Sequence, residues 1–153
     1  MKRLVTATSA RQLGFPSVAK KAISTHKTGY KQCPTVAEVI YQNTKALSGL
    51  IDEVFSCSSV TAAEKYTSDL AQLYPKDATV TPPAALGTSA VYGTNPPLFA
   101  FFWTHGTFGA LVVVDTAASS NDHIALLHKN DPLTPALSAA LTKAALEQNK
   151  RLR

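Results

Sequence analysis

Charge is scarce in this chain of 153 residues: only 16% of it is Asp, Glu, Lys or Arg, against about 25% in a typical soluble domain. With 45% hydrophobic residues, that deficit leans toward a membrane or a large assembly. Acid is absent from residues 1–37, which hold seven Lys and Arg, Lys27 among them, whereas residues 38–153 hold eight basic and ten acidic residues. The overall charge of +5 is therefore a property of the N-terminal end, and no nucleic-acid partner is expected. Cysteine occurs twice, as Cys33 and Cys57, without a CxxC pair or a His-Cys cluster. Two cysteines define no disulfide framework; free thiols are expected, with a disulfide as the alternative. GxxxxGK[ST], GxGxxG and GxSxG are all missing, so the commonest phosphate loops and the hydrolase nucleophile turn have no candidate.

What the chain does have is one long apolar stretch, Leu98 to Val114, LFAFFWTHGTFGALVVV, with no formal charge. As a helix it spans about 26 Å, slightly short of a hydrocarbon core of about 30 Å. Its aromatic load and the small pair Gly106 and Ala110 suit a membrane helix packed against protein neighbours. Read that way, Trp103, His105, Gly106, Gly109 and Ala110 form the packing interface, and His105 near mid-helix faces a partner subunit. The same letters divide into two strands, Leu98–Thr104 and Ala110–Thr116, around a His105–Gly109 turn. Periodicity does not separate the two readings.

The rest of the chain is taken in order. Residues 1–33 are basic, Ser/Thr-rich and acid-free, the composition of a mitochondrial or plastid transit peptide, and Gly14, Pro16 and Gly29 argue against an independent fold. Within 34–75, Thr35 and Glu38 are spaced as a capping box, and Val36, Val39, Ile40, Leu47, Leu50, Ile51, Val54 and Phe55 follow helical spacing. Thr61 and Glu64 offer a second box for a helix running to about Tyr74, so 34–75 is expected as a helical hairpin. Asp52, Glu53 and Asp69 fall on its solvated faces. Residues 76–97, with their prolines and glycines, are expected as an extended connector. Residues 98–120 are then the transmembrane helix, and 121–153 a C-terminal helical segment. Thr134 caps its last helix with Pro135 in the first turn, and Lys150, Arg151 and Arg153 complement its dipole. That helix packs on its own chain, binds a partner, or lies on a headgroup layer.

The expected fold class is accordingly mainly α, the alternative being soluble α+β with a 98–116 β-hairpin. Asp115 with Asp122, His123 and His128 matches no metal signature, and an enzyme using Asp115 and His123 is the least favoured reading. No cofactor is expected. In layout the chain resembles small accessory subunits of mitochondrial inner-membrane complexes, respiratory chain or ATP synthase. The resemblance implies a non-catalytic structural role with other subunits and membrane lipid as partners. The alternative is a protein-interaction module or a mitochondrial ribosomal subunit.

Overall fold

The computed structural model describes residues 2–24 and 30–153; Lys27 and Gly29 lie outside the described residues. The chain runs α1 (Ala7–Gln12), β1 (Ser17–Ser24), β2 (Thr35–Asn43), β3 (Ser48–Ser56), α2 (Val60–Ala71), β4 (Val91–Asn95), β5 (Leu98–His105), β6 (Phe108–Asp115), α3 (Asp122–His128) and α4 (Pro135–Leu152). The six strands form one antiparallel sheet ordered β1-β2-β3-β6-β5-β4. Two three-stranded meanders thus meet through their last strands.

The mainly α expectation is corrected, beginning with its central element. Residues 98–115 are a β-hairpin, turned at Gly106 with φ 56°, and no described helix is long and apolar enough to cross a membrane. The uninterrupted apolarity has a physical source in the layering. Phe99, Phe101, Trp103, Ala110, Val112 and Val114 face α4, while Ala100, Phe102, Leu111 and Val113 face α2. A strand covered on both faces loses its polar alternation. Each large side chain so buried contributes about 1.5–3 kcal/mol.

The helical hairpin over 34–75 is corrected in its first half. Thr35–Asn43 and Ser48–Ser56 pair as antiparallel strands from Thr35↔Ser56 to Asn43↔Ser48. The triplet Val36, Val39 and Ile40 imitates a helical stripe, but Val39 and Val36 point to opposite faces of the sheet. The second half is the helix α2, capped by Ser59, whose Oγ accepts from the Ala62 N–H at 3.1 Å. The 76–97 connector is partly regular, containing a 3₁₀ turn at Ala84–Leu86 and the edge strand β4. In the last segment Thr134 caps α4, accepting from the Leu137 N–H at 3.2 Å, and Pro135 occupies the first turn.

Leu4, Val5, Ala10 and Phe15 of the basic N-terminal segment are buried in the core beside α4. Its neighbours are therefore elements of its own chain. The free-thiol expectation is also corrected: Cys33 and Cys57 form a disulfide. It ties the segment before β2 to the start of α2, where Ser58 N–H also donates to the Gln32 carbonyl at 2.8 Å. The bridge closes a sequence separation of 24 residues, for which loop-entropy arguments give about 3 kcal/mol. Replacing both cysteines by serine is expected to lower the unfolding free energy from urea titration by that amount; an unchanged free energy contradicts a structural role for the bridge.

Candidate functional site

A well-formed concavity lies between α2 and the β4–β5 edge. On its sheet side α2 presents Ala62, Ala63, Thr67 and Ala71, all buried, so the helix axis sits close to the strands. Beyond Ala71 the chain doubles back along β4. Thr94 N–H donates to the Pro75 carbonyl at 3.0 Å, and Lys76 bridges Gly93. A Cβ on Gly93 would stand 2.7 Å from Tyr74 Cβ, so only glycine admits this approach. The result is a cleft of about 520 Å³ with Tyr74 and Pro75 as one wall, Ala71 as the other, and Val91 and Phe102 at its base. Tyr74 and Phe102 are in tilted ring contact at 5.1 Å, and burial pushes the Tyr74 phenol up, with Glu53 and Asp115 adding to the effect.

Polar groups stand around this apolar interior: Glu64 and Ser68 on α2, Gln72 at its C-terminal cap, Lys76 and Ser89 from the return segment, and Thr104 on β5. Thr67 Oγ1 donates to the Ala63 carbonyl at 2.7 Å, which ties that hydroxyl to the helix backbone. A second, more open cleft of about 490 Å³ lies under α3, with Ile40, Ile51 and Leu126 among its walls. α3 buries none of its residues, and Leu126 and Leu127 are 63% and 68% exposed.

The five residues expected to pack a membrane helix are dispersed by the hairpin. His105 and Gly106 are exposed at its turn, in contact with water and not at the centre of an apolar helix. Trp103 and Ala110 are fully buried register partners facing α4. Gly109 faces the other way, beneath Phe55 and Thr67. Asp115 ends β6 and accepts from the Ala117 N–H at 2.8 Å; burial raises its pKa and that hydrogen bond partly opposes the shift. Asp122 and His123 are exposed on α3, and His128 pairs with Asp131 at 2.9 Å.

Two carboxylates read as solvated behave otherwise. Asp52 is completely buried, accepting from the Val5 N–H and from Gln148 Nε2. Burial drives its pKa well above the usual carboxylate range, the Val5 hydrogen bond opposing part of the shift. Glu53, on the opposite face, is raised to about 7 by burial and by its cross-strand neighbour Glu38. Lys20, bonded to Glu38 at 2.5 Å, partly counters this. The sequence signal was available in strand phasing: Leu50, Asp52 and Val54 alternate onto one face, and both flanking residues are core.

No protein-family model matches the chain, and no curated protein matches its sequence. Its fold is similar to the extracellular domain of PknH from Mycobacterium tuberculosis, with a TM-score of 0.52 at 9% identity, covering 97% of this chain and 93% of that one. At that identity the likeness is one of fold. The expected transmembrane helix is corrected by the hairpin that replaces it.

Proposed function

We propose that the protein is a non-catalytic binding domain of an oxidising, extracytoplasmic compartment, taking a small and largely apolar ligand in the cleft between α2 and the β4–β5 edge. The cleft carries this reading. Its size lies within the range of ligand pockets, and an apolar interior with a few polar groups at the mouth is their usual construction. The Cys33–Cys57 bridge supports the compartment, because structural disulfides persist where thiols are not kept reduced. The likeness to an extracellular domain agrees with it. The Thr67 hydroxyl, spent on the Ala63 carbonyl, favours binding over nucleophilic chemistry at this position.

A neutral polycyclic fluorophore, 1-aminoanthracene, tests the cleft. Ser68 is exposed at the mouth, so Ser68→Trp is expected to fill the entrance while leaving the fold intact. Saturable fluorescence enhancement with the natural chain, reduced at least about tenfold in affinity by Ser68→Trp at unchanged melting temperature, is the expected result. Saturable binding that Ser68→Trp leaves untouched rejects this cleft, and absence of saturable binding rejects the apolar class.

A further inference from the structure

The cleft leaves the chain's most lopsided feature unused. Residues 2–24 carry five Lys and Arg and no acid, and residues 143–153 carry four with Glu147 as the single carboxylate; residues 25–142 hold six basic and nine acidic residues. The two basic segments are distant in sequence, and the fold brings them together. Val5 N–H donates to the buried Asp52, which also accepts from Gln148 on α4. Arg151 reaches the Lys2 carbonyl at 3.4 Å, and Thr6 N–H meets Glu147 at 3.5 Å.

At this junction lies a pocket of about 200 Å³, remote in the fold from the α2 cleft because it opens on the α4 face beside β1. Lys2, Lys21 and Arg151 line it, and its floor is Leu4, Val39 and Tyr41. Arg151 is partly engaged by Glu147 at 3.2 Å. Lys2 and Lys21 have no carboxylate partner among the described residues, and both are exposed. Val18, on the edge strand at the pocket margin, is 53% exposed.

We infer that this pocket binds the phosphate headgroup of an anionic lipid, docking the β1 edge and the C-terminal end of α4 on a membrane surface. Two features select a lipid over nucleic acid. The floor is aliphatic, and its one aromatic, Tyr41, is buried with its hydroxyl donating to the Val5 carbonyl at 2.8 Å, so no ring is free to stack on a base. The exposed Val18 beside the cations supplies apolar contact at headgroup depth, the combination that holds a peripheral surface on anionic bilayers. This inference does not depend on the ligand of the α2 cleft.

The test is co-sedimentation of the full chain with vesicles of phosphatidylcholine alone or mixed equally with phosphatidylglycerol. Binding is expected to the mixed vesicles only, to weaken with salt, and to fall about fivefold for each of Lys2→Gln and Lys21→Gln. Neutralising Lys45 and Lys129, which are exposed elsewhere, is the control for diffuse charge and is expected to have a smaller effect. Excess glycerol phosphate that displaces the protein places recognition in the headgroup phosphate. No binding to the mixed vesicles overturns the inference, as does an equal loss from the control pair. Tighter binding to duplex DNA with the same dependence on Lys2 and Lys21 overturns the choice of lipid.

Discussion

Gly109→Ala is expected to destabilise the protein by about 3 kcal/mol or more. Gly109 lies opposite Phe55 in the β3–β6 register, and the Phe55 ring crosses over it beneath α2. A Cβ here would overlap the ring edge, standing 2.6 Å from Phe55 Cδ2 and 2.5 Å from Thr67 Oγ1. Neither neighbour has room to yield. Phe55 is fully buried and in edge contact with Tyr66 at 4.8 Å, while Thr67 is bonded to its own helix. For a chain of this size the loss corresponds to roughly 10 °C in melting temperature. Phe55→Leu removes the ring edge at a cost of about 1–2 kcal/mol. The double variant is therefore expected to be more stable than the two single losses predict by at least about 1 kcal/mol. Strict additivity in urea unfolding contradicts the clash as the cause.

The same pair shows why the sheet was hard to read from the letters. In β5 and β6 the α2 and α4 faces are both apolar, so the strands carry no alternation and their combined length approaches that of a membrane helix. In β2 and β3 a Thr35-to-Glu38 spacing and the Val36–Val39–Ile40 triplet match helical rules that are local. What decides the outcome is non-local: Val36 meets Phe55 and Val39 meets Asp52 across the strand pair. Signals that act within a few residues survived better. Thr134 and Pro135 start α4 by capping chemistry that needs no tertiary partner. The α2 cleft was not legible, because Ala71, Tyr74, Val91 and Phe102 converge from three separate segments and share no motif. Cys33 and Cys57 likewise reveal their pairing only once β2 and β3 are placed side by side. The basic end was legible as composition, whereas its shape depended on Lys2 and Lys21 meeting Arg151.

Asp52→Ala is expected to cost about 3 kcal/mol, and Asp52→Asn only about 1 kcal/mol in mild acid. Removing the carboxyl leaves the buried Val5 N–H without its acceptor and Gln148 Nε2 with only the Glu53 carbonyl, at 3.0 Å, besides opening a cavity at a core position. Val5 is the hinge of the whole N-terminal segment, since its carbonyl also receives the Tyr41 hydroxyl. Asparagine keeps an acceptor for Val5, and once the Gln148 amide turns over, its own amide donates to Gln148 Oε1, which has no hydrogen-bond partner among the described residues, at the loss of the Nε2 bond to the Glu53 carbonyl. The two variants separate further with pH. Asp52 has a folded pKa well above its unfolded one, so the folded state binds the extra proton. Its stabilisation is complete below the ordinary Asp range and is lost as pH rises through the raised value. Glu53, raised from 4.5 to about 7, acts with the same sign up to neutrality. Asp77, held low by Thr79, has the opposite sign, and its contribution is already complete above the ordinary Asp range. Urea midpoints of the natural chain are therefore expected to fall from mild acid to neutrality, with a shallower fall in Asp52→Asn and a crossing that leaves the variant the more stable at neutral pH. A natural chain whose stability climbs with pH across that interval would mean that Asp52 is held as a charged acceptor, with Val5 and Gln148 stabilising the anion more than burial penalises it.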